Sequence, residues 1–158
     1  MGPTLVLSAR PLTTPNRLAM TMDIVQLVER DHREVEELFA KFASTGDVEL
    51  VDAICDALDR HRIGEATVLY PVVDTDLPNG RQMAGESEDE HAEMARLVER
   101  IRREPDACRR AGLLSELEFL VEEHVDAEET EVLPQVRVVL EADRRTELGR
   151  DFLAVRPA

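Results

Sequence analysis

The residues with the clearest chemical potential are two copies of a histidine followed four residues later by a glutamate. The first copy is His61 and Glu65, and the second, sixty-three residues further along, is His124 and Glu128. Because residues i and i+4 lie on one face of an α-helix, each copy would direct an imidazole and a carboxylate to the same place. Each copy also reaches a proline ten residues after its histidine. The spacing predicts two matching sets of metal ligands.

Two further histidines complete the set, because His32 and His91 are the only others and each precedes one copy. Burying two unpaired carboxylates would cost on the order of several kcal/mol each, and metal cations would remove that cost. Four imidazoles with two bridging carboxylates would give each of two ions two nitrogens and two oxygens, a set that suits iron, manganese or zinc. We therefore predict a two-metal site formed by six side chains: His32, His61, Glu65, His91, His124 and Glu128.

The elements that must position these residues are helices, since apolar residues repeat with helical period from Asp23 onward and no segment has the alternation of a β-strand. Four long helices are predicted, separated by the breaks at 44–47, 74–80 and 104–106, and a shorter segment follows Pro134 to about Phe152. The predicted fold is all-α: an antiparallel up-down four-helix bundle with a short extra C-terminal helix.

The two halves of the chain also repeat. Residues 29–34 align with 88–93, matching Glu, His and Glu, and residues 61–71 align with 124–134, matching His, Glu, Thr and Pro. Two helical hairpins related by a pseudo-twofold axis would place their His and Glu side chains symmetrically around one central point.

The ordered motifs resemble a known family. A first-helix histidine, HxxxE followed by Leu69-Tyr70-Pro71, a third-helix histidine and HxxxE followed by Val132-Leu133-Pro134 are similar to the hemerythrin-like, or HHE cation-binding, domain family. The resemblance covers about residues 21–155 and implies an oxo- or hydroxo-bridged non-haem di-iron centre in an up-down bundle. It further implies a division of the ligands: His32 and His61 on one iron, His91 and His124 on the other, and Glu65 and Glu128 bridging.

Two departures from the oxygen-carrying members shape the predicted function. The place of their second third-helix histidine is Ala95 here, and their bridging aspartate is replaced by Glu128. The resemblance is therefore closer to the four-histidine, two-glutamate members, and it favours binding O2, reacting with peroxide or nitric oxide, or handling or sensing iron over reversible O2 carriage. A catalase-like or other di-iron redox activity is left open, and no catalytic protein side chain is predicted.

The same six residues are also compatible with two alternative functions. One is a non-catalytic, metal-dependent sensor or interaction module, in which metal binding sets whether the bundle folds. Another is a zinc- or manganese-binding bundle, hydrolase-like in its chemistry. A bundle without metal would leave Glu65 and Glu128 unexplained.

Composition limits the partners and the cellular location that we expect for this protein. The net charge of −15 argues against binding nucleic acid or an anionic membrane surface, and no apolar run approaches the ~18 residues of a membrane span. Residues 1–20 contain three prolines and no acidic residue, so we expect a disordered extension before a domain at 21–155.

Cys55 and Cys108 are isolated in the sequence, and we predict that both are buried free thiols. Because no secretory signal is recognised, we expect a cytoplasmic location.

The sequence also predicts structural roles for several residues close to the candidate metal ligands. Gly64 indicates close helix packing or, alternatively, a gap for a diatomic ligand. Tyr70, five residues beyond Glu65, should point away from it on a regular helix and pack at the end of the bundle. Three glutamates adjoin ligands but fall off the inward stripe, and we expect them to be solvated face charges: Glu90, Glu123 and Glu129.

Overall fold

The fold was obtained as a computed structural model, which describes residues 21–157. The predicted disordered extension therefore lies outside the described residues. The described chain is helical and contains no β-strand. Its helices are α1 Ile24–Thr45, α2 Glu49–Gly64, α3 Tyr70–Asp76, α4 Gly80–Arg103, α5 Ala107–Ala127, α6 Leu133–Val139 and α7 Ala142–Val155.

The first helix begins and ends at residues suited to those positions. The Asp23 carboxylate accepts a hydrogen bond from the Gln26 backbone N–H at 3.0 Å, and the Gln26 side chain accepts one from the Asp23 N–H at 3.0 Å. This reciprocal cap satisfies two N–H groups that the first turn leaves free. Gly46 ends the helix with a φ of 63°, in the left-handed region that favours glycine. The expected break at 44–47 is confirmed.

A π-helical turn interrupts each of the two helices that carry the HxxxE motifs. One turn, Glu65–Leu69, joins α2 to α3, and the other, Glu128–Val132, joins α5 to α6. In the first, the Tyr70 N–H bonds the Glu65 carbonyl, five residues back. The proline that follows each turn has no N–H, and its ring crowds the carbonyl four residues back, so a turn widened by one residue accommodates it. Each helix thereby continues through its proline, to Asp76 in the first case and Val139 in the second.

The core consists of two apolar clusters with a polar layer between them. One cluster includes Val28, Leu69 and Phe152, and the other includes Val35, Ile54 and Val98. Between them lie the buried polar or charged residues of the described chain: Asp31, His32, His61, Glu65, Ser87, His91, His124 and Glu128. Apolar packing on both sides holds this layer in place and separates it from water.

Helix α7 completes the first cluster by packing against α1 and the first π turn. The ring of Phe152 lies against Gly64, where an added Cβ would come within 2.5 Å of Cε2. The absence of a side chain at Gly64 therefore serves close packing, one of the two explanations predicted for it. The extra C-terminal helix is confirmed as α7.

The structure also bears on the predictions for the two cysteines and for membrane-spanning segments. Cys55 and Cys108 are both free thiols, as predicted, and Cys55 is buried. Cys108 is exposed, because it lies in the first turn of α5 beyond the apolar stripe, so its predicted burial is wrong. Within residues 21–157 no helix has the length and apolar character needed to cross a membrane.

Candidate metal centre

All six predicted ligand residues meet in the polar layer, each from 0 to 5% exposed. The histidines come from four different helices, with His32 on α1, His61 on α2, His91 on α4 and His124 on α5. Each glutamate opens one of the π turns. The structure therefore brings together every residue that the spacing singled out.

Each glutamate lies between histidines from the two halves of the chain. Oε2 of Glu65 is 3.2 Å from Nε2 of His61 and 3.2 Å from Nε2 of His91. Oε2 of Glu128 is 3.2 Å from Nε2 of His32 and 3.7 Å from Nε2 of His124. This is the arrangement that two bridging carboxylates would need.

The imidazoles themselves form two close pairs. Ring centroids are 4.9 Å apart for His32 and His61 and 4.5 Å apart for His91 and His124, whereas His61 and His91 are 6.1 Å apart. We refer to the first pair as the first metal position and to the second pair as the second metal position.

Several buried nitrogen and oxygen atoms of this polar layer receive no hydrogen bond and could coordinate cations. No hydrogen-bond partner in the described chain reaches Nε2 of His32, Nε2 of His61, Oε1 of Glu65 or either carboxylate oxygen of Glu128. Nε2 of His91 lies only 3.0 Å from Nε2 of His124. Buried polar atoms are normally satisfied, and metal ions coordinated at these atoms would satisfy them. Two overlapping groups could each hold an ion: His61, Glu65, His91 and His124, and His32, His61, Glu65 and Glu128.

Three of the four imidazoles have a carboxylate at the ring nitrogen that faces away from the centre. Nδ1 of His32 is 2.8 Å from Glu129 and Nδ1 of His124 is 2.6 Å from Glu90. Such outer carboxylates fix the tautomer and orientation of a metal-binding histidine. Glu90 is exposed and Glu129 partly exposed, but neither is only the solvated face charge that was predicted, because a side chain one position off the inward stripe still reaches the far edge of a neighbouring ring. Glu123 is exposed, as expected.

The third outer carboxylate, Asp31, was not singled out in the sequence. Its Oδ2 lies 3.5 Å from Nδ1 of His61, and the residue is 3% exposed. A signal existed, because Asp31 and Glu90 occupy the same place in the internal repeat, directly before His32 and His91. An acid in this place of both halves indicates a shared role.

Tyr70 contacts the centre, contrary to prediction. Its hydroxyl donates a hydrogen bond to Oε2 of Glu65 at 2.9 Å and lies 3.3 Å from Nε2 of His91. On a regular α-helix five residues would turn it roughly 140° from Glu65. The π turn between them adds a residue to the turn and returns Tyr70 to the face of Glu65.

Electrostatics keep Glu65 and its neighbours in complementary protonation states. Burial by itself lowers the pKa of His61, but the carboxylates of Glu65 and Asp31 outweigh it and raise that pKa to about 10. Burial raises the pKa of Glu65, yet the imidazoles of His61 and His91 hold it well below its usual range. Burial raises the pKa of Tyr70 well above normal, reinforced by the neighbouring carboxylates, so its hydroxyl keeps its proton. The centre therefore presents a carboxylate at Glu65 beside a proton-bearing phenol.

A small cavity adjoins the four histidines on the side of the second apolar cluster. Its volume is about 30 Å³, and apart from the histidines its lining is mainly apolar: Val35, Leu58, Asp59, Arg62, Met94, Ala95, Val98, Val121 and Val125. A site of this measure holds roughly two water molecules. Ala95 is the position where the oxygen carriers would have a further histidine, and Gly64 does not line the cavity.

The helical fold and the buried His and Glu cluster define a metal-binding helical protein. The sequence model of the hemerythrin HHE cation binding domain matches residues 23–136, and the chain belongs to that family. The resemblance seen in the motifs is thus confirmed. A comparison with curated proteins gave no match, and a comparison with solved structures gave none either.

Proposed function

We propose that this protein is a non-haem di-iron hemerythrin-like protein that binds O2, or reacts with peroxide or nitric oxide, within an antiparallel up-down bundle. Six side chains would hold the two ions: His32, His61, Glu65, His91, His124 and Glu128. The observation that supports this most strongly is the bridging arrangement, in which each glutamate lies between one histidine of each metal position.

We choose iron as the proposed metal from the ligand atoms and from the family to which the chain belongs. Imidazole nitrogen with carboxylate oxygen suits iron, and also zinc or manganese, and buried bundle cores host two-metal carboxylate sites. Two iron ions would supply redox electrons to a small oxidant. The four histidines and the family membership support iron as the proposed metal.

The side chains around the metal centre would orient the metal ligands and leave space for a small molecule to bind. The outer carboxylates of Glu90 and Glu129 hold two imidazoles with Nε2 toward the centre. Tyr70 keeps the proton on its hydroxyl and donates it in a hydrogen bond to Oε2 of Glu65, which holds that carboxylate in place. The mainly apolar cavity beside the four histidines has room for a small ligand. We propose a small diatomic or peroxide ligand in the cytoplasm, with no nucleic acid or membrane partner.

One observation favours a second candidate, a non-catalytic sensor or interaction module whose folding depends on metal. The unpaired atoms of His32, His61, Glu65 and Glu128 are buried together, so metal binding energy would stabilise the fold directly. Such a module would show a large metal-dependent rise in melting temperature and negligible turnover of peroxide.

The deciding experiment is metal analysis of the protein purified without added metal, with near-ultraviolet and visible spectra before and after dithionite. We expect close to two irons per chain and charge-transfer absorption that dithionite bleaches. A His61→Ala variant should hold less iron than the wild type, whereas Glu123→Ala, on the exposed face next to His124, should hold the same amount. Zinc, manganese or no bound metal in the wild type would contradict the di-iron proposal.

A further inference from the structure

We propose that Arg156, which lies after the last helix and outside the residues matched by the family, is a positioning residue that makes the first metal position bind metal more tightly than the second. The inference rests on the proposed two-metal centre. It concerns a contact that α7 brings to that centre from the far end of the chain.

Arg156 reaches the centre through one carboxylate. Its Nη2 lies 2.9 Å from Oδ2 of Asp31, and the same oxygen lies 3.5 Å from Nδ1 of His61. The side chains of Arg156 and Asp31 are 6% and 3% exposed, so water does not screen the pair. Arg30 donates to the other oxygen of Asp31 at 3.3 Å, but its side chain is 40% exposed.

This contact has a specific effect on His61. A carboxylate at Nδ1 keeps the proton of a neutral imidazole on that nitrogen and leaves the lone pair of Nε2 for a metal. Arg156 forms an ion pair with the Asp31 oxygen nearest to His61, so it holds that carboxylate beside the imidazole without touching the metal.

The internal repeat shows that the second metal position lacks this support. The counterpart of Asp31 is Glu90, whose side chain is 46% exposed and has no arginine within ion-pair distance in the described part of the chain. The counterpart of Glu129 is Ala66, and among residues 21–157 no carboxylate lies within ion-pair distance of Nδ1 of His91. Nδ1 of His61 also receives no hydrogen bond, but it has Oδ2 of Asp31 at an ion-pair distance of 3.5 Å.

The consequence is an unequal pair of metal positions. Both imidazoles of the first position, His32 and His61, face an outer carboxylate, whereas in the second position only His124 does. Outer partners of metal ligands are worth about 10–100-fold in affinity. The first position should therefore fill before the second.

Helix α7 holds Arg156 rigidly enough for this role. The guanidinium carbon lies 5.0 Å from the centroid of the Phe152 ring, and that ring packs against Gly64, one residue before Glu65. Gly149 lies against the backbone of Met22 and Asp23 at the start of α1. The same helix thus contacts both elements, α1 and α2, that supply the first position.

The test is an anaerobic titration of metal-free full-length protein with ferrous iron against a competing chelator, with Mössbauer spectra of ⁵⁷Fe at one and two equivalents. The wild type should bind two ions in two resolved steps. Arg156→Ala should weaken the tighter step about 10–100-fold, leave the weaker step unchanged and alter the spectrum at one equivalent. Arg156→Lys should restore most of the affinity, and Arg150→Ala, exposed on the same helix, should leave both steps unchanged.

A second pair of variants identifies which position is affected. In a His61→Ala background the Arg156→Ala change should have no further effect on iron affinity, whereas in a His124→Ala background its effect should persist. Equal affinities in the wild type and Arg156→Ala, or an equal loss at both steps, would overturn the assignment while leaving the two-metal proposal standing. A wild-type protein that binds fewer than two ions would overturn both.

Discussion

The hydroxyl of Tyr70 donates a hydrogen bond to Oε2 of Glu65 at 2.9 Å, although the two residues are five apart on one helical segment. The π turn that begins at Glu65 makes the contact possible. Its counterpart in the second half of the chain is the buried Leu133, which offers no donor to Glu128. The two glutamates are therefore equivalent in position but not in environment.

Removing that hydroxyl should weaken the fold without disturbing its packing. In Tyr70→Phe the ring keeps its volume, but Glu65 loses a donor at a buried carboxylate, so we expect a loss of about 1–3 kcal/mol in the free energy of unfolding. Urea unfolding of the purified protein measures it. Unchanged stability would mean that the hydrogen bond contributes nothing net. Leu133→Met, a conservative change at the matching position, serves as the control.

Replacing Glu129 should weaken metal binding. Glu129→Gln removes the negative charge at Nδ1 of His32, and outer partners of this kind are worth about 10–100-fold in metal affinity. The check is metal content after dialysis against a graded series of chelator concentrations. Glu123→Gln, an exposed glutamate on the same segment, is the matched control. Identical retention in the two variants would refute an outer-ligand role for Glu129.

A methyl group at Gly64 should destabilise the protein. In Gly64→Ala the new Cβ would lie 2.5 Å from Cε2 of Phe152, so the ring must move, and overpacking of this kind costs about 1–3 kcal/mol. Thermal unfolding checks this. Gly112→Ala, also inside a helix but with no atom within 4 Å of the new Cβ, should instead stabilise the protein by about 0.5–1 kcal/mol. The prediction fails if both variants shift stability in the same direction.

The metal-free protein should lose stability as the pH rises. The pKa of His61 is raised from 6.5 to about 10, so the folded chain holds this proton more tightly than the unfolded chain. The resulting stabilisation is complete below pH 6.5 and is lost as the pH rises to about 10. Urea unfolding in chelator at pH 6, 8 and 10 would show the decline.

Metal binding should reverse that pH dependence, since the ion displaces the proton from His61. Iron affinity should therefore increase over the same interval, with proton release that titration in buffers of different ionisation enthalpy would detect. Flat stability of the metal-free form between pH 6 and 10 would contradict the raised pKa of His61.

The sequence by itself determined the helical fold and the meeting of the six candidate ligands. Both depend on short-range periodicity: HxxxE places two side chains on one helical face, and the apolar stripe places His32 and His91 inside the bundle. The internal repeat then implies a common centre. These inferences need no knowledge of how the helices pack in detail.

Only the tertiary structure decided what surrounds the centre. The contact between Tyr70 and Glu65 depends on a π turn that helical periodicity does not reveal, because a single extra residue per turn changes the direction of every later side chain. The contacts of Glu90 and Glu129 with imidazoles depend on side chains reaching between helices. Arg156 meets Asp31 across 125 residues of chain, and a contact at that separation is set by the packing of α7, which no local pattern specifies.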